Sequence, residues 1–208
     1  NGRRITLDHG KFDPCTILLN NDLSGGQPLI LENIREQHLL PPLHAGWTVR
    51  RKSTHFTAYD EVAKKFGKML GIDPWLLNAY HTNVNGVDFH ERAGEDELAT
   101  AVEATLKKIT KKYKEYGIKD DPFVIVKADA GTYGMGIMTV RSPDDVRDLN
   151  RKQRNKMAVI KEGLEVQDLL IQEGVPTIEL WDGHTTEPVV YMIDRYVVGG
   201  FYRANSEK

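Results

Sequence analysis

The residues best equipped for chemistry lie together in Val124-Ile125-Val126-Lys127-Ala128-Asp129-Ala130-Gly131-Thr132-Tyr133-Gly134-Met135-Gly136-Ile137. An apolar run delivers a lysine at its end, and glycines at 131, 134 and 136 follow. Glycine lets the backbone approach an anion closely and tolerates positive φ, so neighbouring N–H groups can converge on phosphate oxygens. Lys127 adds a point charge beside those amides. Taken alone, the pattern also describes a hairpin with a flexible tip and a solvated lysine. Other phosphate loops are excluded by their grammar. No Gly-Lys-Ser/Thr tail marks a Walker A loop. The spacing is G-x-x-G-x-G and the following segment reads as strand, so the dinucleotide fingerprint fails as well. In the kinase glycine loop the lysine comes after the loop, whereas here it comes before, and no His-Arg-Asp segment follows.

The elements that must position this loop can be read from periodicity. Thr16-Ile17-Leu18-Leu19 reads as a short buried strand, with Cys15 beside it as a small core residue. Pro28 to Ile34 reads as a short helix. Residues 57–70 carry Val62, Phe66, Met69 and Leu70 at three- and four-residue steps, the helical pattern, with Gly71 as C-cap. Residues 80–92 read as loop or linker. Residues 96–116 predict a second amphipathic helix, with Leu98, Val102, Leu106, Ile109 and Tyr113 on one face, lysines in its last turns and Gly117 as the stop. Phe123 to Val126 and Ile137 to Val140 read as two strands joined by the glycine loop. Ser142 and Asp145 make a capping-box-like helix start, running to about Arg151. Leu169-Leu170-Ile171 is strand. Val189 to Ile193 and Tyr196 to Tyr202 read as a hairpin turning at Asp194-Arg195. Helices interleaved with an antiparallel-looking sheet argue for an α+β fold and against a doubly wound parallel sheet.

Composition narrows the function classes. The 208 residues are 40% hydrophobic and 28% charged, with a formal charge of −2. That balance is ordinary for a globular protein and gives no global push toward nucleic acid or membrane. No apolar run approaches the ~18–20 residues of a membrane span. The single cysteine fits a reducing cytoplasm. The basic stretch 107–114 is a weak nucleic-acid candidate, with one aromatic and its cations at a helix end. His44, His55, His81, His90 and His184 lack metal-like spacing. Arg50-Arg51-Lys52 reads as a substrate-carboxylate site or, more simply, as a solvated helix start. Asn150 to Lys156 reads equally as a basic flap or a plain helix end.

The order strand, lysine, glycine loop, strand resembles the ATP-grasp superfamily, in which two α+β subdomains clasp a nucleotide. Leu169 to Val175 resembles its adenine-holding hinge, and Tyr191 to Arg203 its hairpin ending in an arginine. At closer range, Val124 to Arg141, Leu149 to Met157 and Glu187 to Tyr196 resemble the proteobacterial-type glutamate–cysteine ligase family. So do Leu18 to Ser24 and Pro41 to Trp47, which carries the resemblance over essentially the whole chain. It covers only the middle of that family's length, so the chain is expected to be a fragment.

The resemblance implies a division into residues 1–50, the end of a substrate-side α/β domain, and residues 51–208, an ATP-grasp domain incomplete at its C-terminus. It implies a ligase that uses ATP and Mg²⁺ to join the γ-carboxylate of glutamate to the amine of cysteine through an acyl phosphate, the first step of glutathione biosynthesis. Lys127 and Arg203 would act on the transferring phosphoryl group. Lys127, Gly131, Thr132, Tyr133, Gly134, Met135, Gly136 and Lys161 would hold phosphates, and Gln172, Glu173, Gly174 and Val175 the adenosine. The resemblance places the Mg²⁺ ligands on a late strand not found in these 208 residues, so none is assigned. Another ATP-grasp peptide ligase, such as glutathione synthetase, and a non-catalytic nucleotide-binding module are the alternatives. The expected partners are small molecules, with no nucleic acid or membrane and room for a homo-oligomer.

Overall fold

The computed structural model describes residues 3–19, 23, 27–45, 50–130, 136–158 and 166–204. Strands β1 (Thr16–Leu18) and β2 (His38–Leu40) precede the long helix α1 (Lys52–Leu70). Then come β3 (His81–Val84), α2 (Glu95–Tyr116), β4 (Val124–Ala128), β5 (Ile137–Val140), α3 (Asp144–Arg147), α4 (Arg151–Ala158) and β6 (Leu169–Glu173). Strands β7 (Leu180–Trp181), β8 (His184–Ile193) and β9 (Tyr196–Ala204) complete the described chain. It divides into two compact units, residues 1–174 and 175–208.

In the first unit β1 and β2 pair in parallel. Strands β3, β6, β4 and β5 form an antiparallel sheet in that order. The core forms because two periodicities meet. Leu98, Val102, Leu106, Ile109 and Tyr113 of α2 are all buried, as the helical spacing predicts. They join one hydrophobic cluster with Val124, Val126 and Ala128 of β4 and Leu169 and Ile171 of β6. Alternate residues of those strands share one face of the sheet. Glu95, Asp96 and Glu97 occupy the first turn of α2, where acidic groups suit the helix dipole. Gly117 ends the helix at φ +67°, a left-handed conformation that costs glycine nothing. In the second unit β8 and β9 form a long antiparallel hairpin, with β7 on the outer edge of β8.

The mixed α/β architecture with several sheets is compatible with the α+β expectation. Several local expectations change. Cys15 is exposed and not in the core, because β1 is a short strand with an exposed, half-buried, exposed pattern. Only a 3₁₀ turn at Leu29–Leu31 forms within the helix expected from Pro28 to Ile34. Residues 80–92 contain β3, whose polar sequence forms a strand because β6 supplies a partner. The helix expected to run to Arg151 is two helices. Asp145 accepts from the Ser142 N–H at 3.0 Å to start α3, and Asn150 and Gln153 cap each other's backbone at 2.9 and 3.0 Å to start α4. Asn150 to Lys156 is therefore the capped start of a helix. Helix α1 is longer than its pattern and docks through buried Ala63 and Gly67, while Val62, Phe66, Met69 and Leu70 are exposed. Small residues explain this, since a Cβ at Gly67 would lie 2.8 Å from the Ile72 carbonyl oxygen.

Candidate functional site

Lys127 lies on β4, on the face of the sheet opposite the α2 core. Register puts Ile125 beside Gln172, and Gln172 beside His81, so these side chains share its face. The Lys127 ammonium donates to Gln172 Oε1 at 2.5 Å and sits 5.3 Å above the Phe56 ring. Phe56 in turn lies 5.4 Å from the His81 ring. Burial pushes the Lys127 ammonium below the usual lysine value.

Lys52, the first residue of α1, reaches the root of the glycine segment. Its ammonium donates to the carbonyls of Ala128 at 2.8 Å, Ala130 at 3.2 Å and Asp129 at 3.4 Å. Its own pKa is pushed down, first by burial and then by the charge of Lys127, with Asp129 opposing. Two cations thus crowd one corner, an arrangement that a polyanion relieves. Asp129 fixes the corner. Its carboxylate is buried and accepts from the Ser53 N–H and the Ser53 hydroxyl, each at 2.7 Å. It therefore caps the N-terminus of α1 from far along the chain, and the Lys52 N–H adds a bond to the Asp129 carbonyl at 3.0 Å. The sequence signal for Lys52 was the Arg50-Arg51-Lys52 run just before a helical pattern. What it lacked was the strand end that the run would meet.

The remaining expected site residues fall into three groups. Gly131, Thr132, Tyr133, Gly134, Met135 and Lys161 lie outside the described residues. Gly136 follows the glycine segment, and its carbonyl accepts from the Ala128 N–H at 3.1 Å. Gln172 shares a face with Lys127, but strand alternation sends Glu173 to the other side. There its buried carboxylate accepts from the Trp75 indole N–H and the Tyr80 N–H. Gly174 ends the first unit against Phe123, whose ring leaves no room for a Cβ. Val175 and Arg203 belong to the second unit. Val175 is exposed. Arg203 bonds Glu187, its cross-strand partner, through Nε at 2.6 Å. Both side chains are largely exposed, so the pair is a modest constraint. Among the described residues no group of three or more His, Cys, Asp or Glu side chains gathers as a metal site. Nor is any helix there long and apolar enough to cross a membrane.

Fold and site together define a mixed α/β chain with paired lysines at the root of a glycine-rich segment. The chain belongs to the glutamate–cysteine ligase family, whose model matches residues 1–208. It is also similar to the crystal structure of a Methylobacillus flagellatus KT protein assigned as a gamma-glutamylcysteine synthetase, with 61% identity and a TM-score of 0.86. The match covers 100% of this chain and 48% of that one, so the chain spans about half the length of that relative. No curated protein gives a significant match.

Proposed function

We propose that the protein to which this chain belongs is an ATP-dependent ligase that makes γ-glutamylcysteine, the first intermediate of glutathione biosynthesis. The observation that carries this is the family match over every residue of the chain. The lysine pair at the root of the glycine segment agrees with it, because ATP is the polyanion such a corner suits. In this reading residues 51–208 form an incomplete ATP-grasp domain and residues 1–50 the end of a preceding substrate-side domain, and the enzyme works in the cytoplasm. The parallel β1–β2 pair supports an α/β origin for that first segment.

The reaction has two steps. A γ-carboxylate oxygen of glutamate attacks the γ-phosphorus of ATP, and ADP leaves. The cysteine amine then attacks the acyl carbon, the C–O bond breaks, inorganic phosphate leaves, and the amine loses a proton to solvent or phosphate. Such chemistry asks the protein for charge neutralisation, orientation and exclusion of water more than for a nucleophile. Lys127 and Lys52 would neutralise phosphate oxygens, with amides of Gly131, Thr132, Tyr133, Gly134, Met135 and Gly136 and the Lys161 ammonium beside them. Gln172 and the backbone of Glu173, Gly174 and Val175 would address the adenine edge. Arg203 would serve the transferring phosphoryl group on leaving Glu187. Mg²⁺, when bound, would supply further neutralisation of phosphate charge, and no residue is assigned to hold it among the described residues.

Glutamate labelled with ¹⁸O in its γ-carboxylate tests the acyl phosphate. One labelled oxygen should appear in the released phosphate when full-length protein turns over ATP, glutamate and cysteine. Unlabelled phosphate alongside labelled dipeptide would rule the mechanism out.

A further inference from the structure

Glu173 sits one residue beyond the Gln172 that holds Lys127, yet it faces the opposite side of the sheet. Its carboxylate is almost completely enclosed and its hydrogen bonds are made within the protein. Oε2 accepts from the Trp75 Nε1–H and the Tyr80 N–H, each at 2.9 Å, and Oε1 accepts from Trp75 at 3.1 Å. The Glu173 N–H donates to the Tyr80 carbonyl at 2.8 Å, which extends the β3–β6 ladder by one residue.

Trp75 is itself held firmly. It lies in a 3₁₀ turn, Pro74–Leu76, capped by Asp73, and Asp73 accepts from Lys112 and from the Tyr116 hydroxyl of α2. The indole also packs 5.1 Å from the Tyr116 ring. A chain of contacts therefore runs from α2 through Trp75 to the end of β6. On the other side of that end, Gly174 donates to the Phe123 carbonyl at 2.8 Å and presses against the Phe123 ring.

We propose that Glu173 is a positioning residue through its side chain: by strapping the end of β6 to Trp75 and Tyr80 its carboxylate sets Gln172, and through Gln172 the Lys127 ammonium, without itself touching the ligand. The ligand part of this statement rests on the ATP reading above. An enclosed carboxylate with its acceptors already engaged by the indole and the backbone has no oxygen turned toward a nucleotide ribose. Burial holds the Glu173 carboxyl above the usual carboxylate range, and the bonds from Tyr80 and Trp75 offset only part of that rise.

The test uses the full-length protein and three variants, Glu173→Ala, Glu173→Gln and Trp75→Phe. The first readout does not depend on catalysis: the rate at which an amine-acylating reagent labels Lys127, followed by mass spectrometry. Glu173→Ala and Trp75→Phe should raise that rate several-fold. Glu173→Gln keeps an acceptor at the same place and should stay within about twofold of wild type. The second readout is steady-state kinetics with ATP and 2′-deoxy-ATP. Glu173→Ala and Trp75→Phe should raise KM for both nucleotides by about tenfold and equally, with kcat changed less than about threefold. Trp75→Phe keeps an aromatic ring, so it carries the test if Glu173→Ala does not fold. Unchanged Lys127 labelling in both variants overturns the proposal. So does a loss of discrimination between ATP and 2′-deoxy-ATP in Glu173→Ala, which would show direct ribose contact. Absence of any ATP turnover by wild type counts against the ligase reading, and Lys127 labelling then decides the role of Glu173.

Discussion

The two units of this chain use the same alternating strand pattern to different ends. In β4 the residues alternate between buried and half-buried, and the buried set joins the α2 core. In β8 and β9 nearly every residue is exposed, although Val190, Tyr191, Val198 and Phe201 are as apolar as the residues of β4. The hairpin is ordered by its ladder and by ring contacts such as Tyr191 on Phe201 at 5.9 Å, while Trp181 of β7 stacks on Tyr202 at 6.3 Å from the far side of β8. Cross-strand pairs of this kind contribute roughly 0.2–1 kcal/mol each, against ~1.5–3 kcal/mol for a fully buried large aliphatic side chain. Periodicity therefore reports the element, and only tertiary contact reports what that element can hold in place. The half-buried lysine corner is backed by a packed core, whereas Arg203 stands on a strand whose side chains are exposed.

Substitutions in the two units should separate accordingly. Leu98→Ala empties a fully buried site and should lower unfolding free energy by about 2–5 kcal/mol in chemical denaturation. A loss below ~1 kcal/mol would mean the α2 core is not the anchor described. Gly174→Ala must move the Phe123 ring, since the new Cβ would sit 2.0 Å from Phe123 Cε2. It should cost about 1–3 kcal/mol, read by the same denaturation curve. Rising pH should weaken ATP binding. Both lysines are lowered from the ordinary value of 10.5 and a polyanion favours their charged forms. Affinity is then full below the lowered pKa values and falls as pH rises through them, so KM for ATP should climb several-fold while an ordinary lysine would still be charged. A KM that stays flat until free lysines titrate would break the argument. Glu187→Ala, which removes the exposed partner of Arg203, should change stability by no more than ~1 kcal/mol.

Much of the framework is legible in the sequence because it is local. The α2 periodicity, the Gly71 and Gly117 stops, the β4–β5 pair around the glycine segment and the hairpin turn at Asp194-Arg195 are encoded within a few residues of themselves. What was not legible depends on distant partners. Polar β3 needs β6, the early start of α1 needs Asp129, and the exposed stripe of α1 follows from docking through Ala63 and Gly67. At the site, Lys127 and Gln172 could each be named from motif order, although not the bond between them. Lys52 could not, because its partners are carbonyls more than seventy residues away. The orientation of Glu173 was within reach. With Leu169 and Ile171 apolar in a strand, parity assigns residue 173 to the core face and Gln172 to the other.

The most direct test of the central claim is ADP release by the full-length protein, with Mg-ATP and glutamate, with and without cysteine, for wild type and Lys127→Ala. ADP formation should need both amino acids and fall by at least about a hundredfold in the variant. ATP binding without turnover for any amino-acid pair, or turnover indifferent to Lys127→Ala, would contradict that claim.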